Sequence, residues 1–191
     1  LSVDTVYPIH RLDRGTSGVV LFALSSRDAR WLGGAIEGGA MHKGYTALVR
    51  GRAPDLVTFV HALTNHDGGA PLLSITAFGR VATVESQPRH ASLVQAHPRT
   101  GRQHQIRRHL RRLTHPIIGD GRHGRPDLNR AFRERYGLGR MALHAAWLRV
   151  LHPATGERLT LRAPLPPDLT GPLRAMGFSE ADLALAGSSQ A

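Results

Sequence analysis

The sequence predicts an α+β fold, a largely antiparallel sheet flanked by helices with a basic cleft between its halves. Three patterns predict it. Short apolar runs at 45–49, 56–62, 75–82 and 91–96 are separated by Gly, Pro and Asn, as strands joined by turns would be. Residues 141–151 and 159–162 flank His152-Pro153-Ala154-Thr155-Gly156-Glu157 and read as a closing hairpin. Ile106, Leu110 and Leu113, at i, i+4 and i+7, form the apolar stripe of a helix lying on a core. At 191 residues and 41% apolar side chains, one domain over 1–191 is expected.

The first element is a polar loop, His10-Arg11-Leu12-Asp13-Arg14-Gly15-Thr16-Ser17-Gly18, running into Val19–Leu24, which reads as a buried strand delivering the loop. Taken alone, Asp13 between Arg11 and Arg14 is an ordinary surface ion pair. Ser25 or Ser26 caps a helix reaching Glu37, with Ala29, Leu32, Ala35 and Ile36 near helical spacing and Gly38-Gly39 ending it. Tyr45–Val49 is the next strand, stopped by Gly51 and Pro54. Strands at 56–62 and 75–82 are joined by a polar turn over 65–69. After the strand at 91–96, Thr100 and Gln103 have the spacing of a capping box that opens the second helix.

On that helix Arg107 lies about 100° from Ile106, at the edge of the apolar stripe, where it can point into a cleft. Arg108 and Arg112 make a second row, and Arg102, Arg107 and Arg111 complete a cationic surface with His104 and His109 interspersed. Six arginines between Arg99 and Arg112 have no acid within the segment to neutralise them, and a phosphate backbone would do so. His115–Asp120 is a tight connection, 122–140 is loop-like with a short helix over 129–136, and the prolines at 164, 166 and 167 end the sheet before a helix at 169–176. Residues 187–191 are expected to be a disordered tail.

Composition narrows the chemistry. Twenty-five basic against fourteen acidic residues give a net charge of +11, which attracts polyanions, RNA or DNA first. Lys43 is the sole lysine, so the arginine excess also fits GC-rich coding. The absence of cysteine excludes disulfides, thiolate metal sites and cysteine nucleophiles. No apolar run approaches the roughly 20 residues of a membrane span, and Leu1-Ser2-Val3-Asp4 has no basic leader, so a cytoplasmic protein with no membrane partner is expected. No metal is expected, since there is no His-Glu-x-x-His and His104 and His109 stand at the wrong interval for one helical face. Gly15–Gly18 is not followed by Gly-x-x-x-x-Gly-Lys, so no nucleotide cofactor is expected either.

The motifs in order carry a resemblance. His10-Arg-Leu-Asp-x-x-Thr-Ser-Gly18, Lys43-Gly44-Tyr45, Thr100-Gly-Arg-Gln-His-Gln-Ile-Arg107, His115-Pro-Ile-Ile-Gly-Asp120 and Leu143-His144-Ala145, with His152-Pro153 and Ala163-Pro164 closing, resemble the RluA-type pseudouridine synthases over almost the whole chain. The resemblance is nearest to the synthases acting in the acceptor-stem region of certain tRNAs. It implies a pseudouridine synthase catalytic fold that isomerises uridine in structured RNA without cofactor or metal, with tRNA the expected substrate and ribosomal RNA the alternative. An RNA-binding remnant without catalysis is the reading from another class.

The resemblance also implies roles. Asp13 would be the catalytic carboxylate, adding to C1′ of the sugar or C6 of the base, or stabilising a glycal route. Arg107 would be its charge partner. Tyr45 would stack on the uracil and remove a proton as the new glycoside settles; by spacing alone it is a core strand residue. Arg11 would enter the RNA stack when the target base flips out. Arg14, Lys43, Arg102, His104, Arg108, Arg111 and Arg112 are the further RNA-binding candidates, and a monomer is expected. Family members usually begin with further strands carrying Asn-Lys-Pro-x-Gly; here the loop starts at position 10, so an N-terminally short domain is expected.

Overall fold

The alternation of apolar runs and turn residues resolves, in a computed structural model describing residues 5–64 and 68–189, into fourteen elements. In chain order they are β1 (Tyr7–Pro8), β2 (Ser17–Gly18), β3 (Phe22–Ala23), α1 (Ser26–Glu37), β4 (His42–Arg50), β5 (Leu56–Leu63), β6 (Leu72–Val84), β7 (Ala91–Pro98), α2 (Gln105–Arg112), α3 (Pro126–Tyr136), β8 (Leu143–Leu151), β9 (Arg158–Arg162), α4 (Pro167–Met176) and α5 (Glu180–Ala186). The main sheet has seven strands in the order β2-β8-β4-β7-β6-β5, with β9 also on β8. Every pairing in it is antiparallel except β2 with β8. The α+β expectation is therefore met.

Position in the sheet explains which strands were legible. Thr46–Val49 of β4 and Leu143–Leu148 of β8 are buried residue after residue, because both faces of a central strand are covered. At the edge, β5 alternates exposed and half-buried, as a strand with one open face must. The main core joins Leu48, Leu93 and Ile117 to Ile106 and Leu110 of α2, Phe132 of α3, Leu169 and Leu173 of α4 and Leu183 of α5. A smaller cluster packs Leu32 of α1 on Ala23, Met41, Leu148 and Val150. No helix among the described residues is long and apolar enough to cross a membrane.

Several expectations are corrected. Val19–Leu24 is not a buried strand: only Ala23 is buried, and Phe22 and Leu24 are exposed. The segment leaves the sheet after β2, and β3 pairs instead with β1 in a separate two-stranded sheet. β4 begins at His42 rather than Tyr45, because backbone pairing of His42, Lys43 and Gly44 with Arg149, Leu148 and Trp147 disregards side-chain polarity. No sequence expectation covers α5, although Ser179 and Asp182 form a capping box that the sequence displays. Ser188 and Ser189 accept from Gln95 and Arg149 where a disordered tail was expected. Residues 190–191, and most of the turn placed at 65–69, lie outside the described residues.

Candidate active site

Asp13 opens a tight turn. Thr16 N–H donates to the Asp13 carbonyl at 2.9 Å, and Gly15 occupies the third position at φ +85°, where side chains are disfavoured. The turn is anchored by Gly18, at φ +121° against β8, where a Cβ would lie 2.2 Å from the Ala145 carbonyl oxygen. Any larger residue would push the loop off the sheet.

α2 approaches from the other side. Its start is fixed by Gln105, whose amide donates to Ile75 O and Thr76 Oγ1 and whose Oε1 accepts from Thr100 Oγ1 and Arg102 N. This corrects the capping box: Thr100 serves Gln105, and the N-cap is His104 in the left-handed region at φ 53°. With Ile106 and Leu110 in the core, Arg107 is carried inward and is only 7% exposed.

There it meets two carboxylates. Arg107 Nε and Nη2 donate to Asp120 Oδ2 and Oδ1 at 2.8 and 2.9 Å, and Nη1 donates to Asp13 Oδ2 at 3.2 Å. Burial would raise the Asp120 carboxyl, but the Arg107 hydrogen bonds and the N–H groups of His123 and Arg122 outweigh it and hold the group below the usual range. Burial disfavours the Arg107 cation in turn, and Asp120 and then Asp13 more than restore it. Asp120 had no role assigned from the sequence. Its signal was there: an acid after Gly119 in a segment crowded with arginine.

A cavity of about 330 Å³ opens beside this cluster, lined by Asp13, Tyr45, Lys43, Arg11, Arg102 and His104 among others. Tyr45 sits at the register shift of β4 against β8, and burial with the Asp13 charge pushes its phenol up to about 12, so the hydroxyl keeps its proton. Burial lowers Lys43. His104 Nδ1 and His123 Nε2 stand 3.1 Å apart, both lowered by burial first, His123 to about 4. Thr16 Oγ1 and Arg102 Nε are buried at this cavity without a hydrogen-bond partner among the described residues. No group of three or more His, Cys, Asp or Glu side chains among the described residues converges as a metal would require.

The remaining candidates stand apart. Arg107 does not line the cavity, nor do Arg14, Arg108, Arg111 and Arg112. Arg11 and Arg14 are exposed beside Asp13 without forming ion pairs among the described residues, and Arg111 and Arg112 are exposed on α2. Arg108 donates to Thr64 O. Two features of the expected cationic surface are corrected. Arg107 is neutralised by acids distant in sequence, and His109 is fully buried between Ser74 and Thr76, at 2.9 and 3.0 Å.

Comparison with known proteins bears on the family and the fold. A family model described as RNA pseudouridylate synthase matches residues 1–112. The tRNA pseudouridine synthase C of Yersinia pestis is 39% identical, the match covering 91% of this chain and 74% of that protein. That of Vibrio cholerae is 38% identical over 92% of this chain and 79% of its own. Among solved structures, human RNA pseudouridylate synthase domain containing 1 superposes with a TM-score of 0.75 at 26% identity, covering 97% of this chain and 81% of that one. With motifs, fold and relatives in agreement, the chain belongs to the RNA pseudouridylate synthase family, enzymes that isomerise uridine in RNA.

Proposed function

We propose that this protein converts a uridine of tRNA to pseudouridine, with Asp13 as the reacting carboxylate. The observation that carries the reading is the Arg107 cluster: Asp120 takes two of the guanidinium's donors, and a third is left for Asp13 at the cavity wall. A carboxylate so paired is held in place and aimed, as a nucleophile must be. The reaction breaks the N1–C1′ bond, turns the detached uracil and joins C5 to C1′, while the C5 proton leaves and N1 gains one; nothing is oxidised or lost. Thr16 and Arg102, whose Oγ1 and Nε are buried without a hydrogen-bond partner among the described residues, also line this space. A phenol held near 12 favours Tyr45 as the stacking and orienting group over a proton-removing one. Arg11, exposed and among the residues lining the cavity, enters the stack as the base leaves it in this reading, offsetting part of a flipping cost of about a few kcal/mol. Lys43, Arg102 and His104 line the approach, and Arg14, Arg108, Arg111 and Arg112 supply outer phosphate contacts. The tRNA target rests on the names of the relatives.

Tritium release from 5-tritiated uridine RNA tests both parts. Release from tRNA and not from ribosomal RNA is expected, the reverse pattern moves the substrate to ribosomal RNA, and release from neither, with RNA binding intact, returns the remnant reading. Asp13→Asn is expected to abolish release while RNA affinity stays within about threefold. Retained turnover would end the role of Asp13.

A further inference from the structure

The two carboxylates that meet Arg107 sit on separate loops, and one residue outside the cavity lining touches both loops. Arg140 lies between α3 and β8. Its main chain is pressed against Gly119, where a Cβ would stand 2.1 Å from the Arg140 carbonyl oxygen and φ is +82°. The backbone next to Asp120 is thereby seated on that of Arg140. The Arg140 side chain turns to the other loop. Nη1 donates to Gly15 O at 3.1 Å and Nη2 to Ser17 Oγ at 2.8 Å, so it holds the turn that begins at Asp13. Nε donates to Asp168 Oδ2 at 2.7 Å, which orients the guanidinium from α4.

A directed chain of hydrogen bonds continues from there. His144 Nε2 lies 3.0 Å from Ala163 O, and a carbonyl only accepts, so this nitrogen carries the proton. Burial lowers the His144 pKa and so favours the neutral ring; in that form Nδ1, 2.8 Å from Ser17 Oγ, accepts from the Ser17 hydroxyl, whose oxygen is left to accept from Arg140. With the ring neutral, every bond in the series Arg140, Ser17, His144, Ala163 has one allowed direction. Such a series holds a single geometry.

We propose that Arg140, oriented by Asp168, is a positioning residue that fixes the Asp13 turn relative to Asp120 and hence to Arg107. The proposal rests on Asp13 being the reacting carboxylate. A reacting group moved by about 1 Å loses on the order of 100-fold in rate while binding surfaces elsewhere are unchanged. The effect therefore falls on kcat.

The test is steady-state kinetics and RNA binding of Arg140→Ala, Arg140→Lys and Asp168→Ala in the full chain. Arg140→Ala is expected to lower kcat at least tenfold with KM and the RNA dissociation constant within about threefold. Arg140→Lys, one cation without the fork that spans Gly15, Ser17 and Asp168, falls between Ala and wild type. An unchanged kcat overturns the proposal, and so does a raised KM with unchanged kcat, which would make Arg140 an RNA contact. Should a thermal melt show Arg140→Ala unfolded, the exposed Asp168→Ala decides: a kcat at least threefold lower at constant KM is expected, and wild-type kcat overturns it. Asp13→Asn runs in parallel. If it retains turnover, the reading of Asp13 fails; if it loses turnover while the Arg140 and Asp168 variants keep wild-type kcat, this inference alone fails.

Discussion

Replacing Asp120 by Asn keeps the shape of the buried cluster and removes its charge. Asp120 Oδ1 accepts from Arg107 Nη2 and from the N–H groups of Arg122 and His123, each at 2.9 Å, and an Asn oxygen can take all three. Oδ2, which accepts from Arg107 Nε at 2.8 Å, becomes an NH₂ facing another donor. One charge-assisted bond is lost, about 1.5–3 kcal/mol, and a buried guanidinium loses a counter-charge, a change that typically costs 3–5 kcal/mol. Asp13 still pairs with Arg107 at 3.2 Å, which places the total at the lower end, about 3 kcal/mol. At roughly 2–4 °C per kcal/mol for a chain of this size, Tm falls by about 6–12 °C. Thermal unfolding followed by circular dichroism measures it. The pH dependence gives a second check. Because the Asp120 carboxyl is depressed in the folded state, its stabilisation is complete above about pH 4, the ordinary aspartate value, and is lost only as pH falls through the lower folded value. The gap between wild type and variant is thus constant from pH 5 to 8. A Tm change under about 2 °C, or a gap that closes toward pH 5, would refute the claim that Arg107 depends on a buried charged partner.

Two further outcomes follow from the surroundings of the site. Arg111→Ala and Arg112→Ala, both exposed on α2, are expected to weaken RNA binding and flatten the slope of log affinity against log salt by about 0.7–0.9 per lost phosphate contact; an unchanged slope would make that face a bystander. Burial first, with the nearby His61, Arg108 and Arg112, pulls His109 down to about 4, so between about pH 6.5 and 4 the unfolded chain binds a proton that the folded one refuses, and stability falls as pH falls. Urea unfolding at pH 7 and pH 5 should show a smaller loss in His109→Leu than in wild type, and equal losses would exclude that assignment.

The sequence by itself determined whatever depends on local pattern. The α1 cap at Ser25 or Ser26, the stripe of Ile106 and Leu110, the closing hairpin and the Asp13 loop followed from side-chain spacing and turn chemistry, because helix caps, amphipathic faces and tight turns are settled by neighbours a few residues apart. The ordered motifs likewise marked Asp13, Tyr45 and Arg107 as residues belonging to one site. Tertiary structure decided which charges cancel and which polar groups are buried. Asp13, Arg107 and Asp120 are far apart in sequence, and only the docking of α2 on the sheet makes the third a partner of the second. The same docking takes His109 out of the cationic face and into the core, while the departure of Val19–Leu24 from the sheet leaves Phe22 exposed. Arg140 is the sharpest case. Nothing in its local sequence distinguishes it from the other arginines, yet close packing on Gly119 and five acceptor atoms on Gly15, Ser17, Met141 and Asp168 give it one place, because the geometry of such a hydrogen-bond network is specified by all the elements that meet there and by no one of them alone.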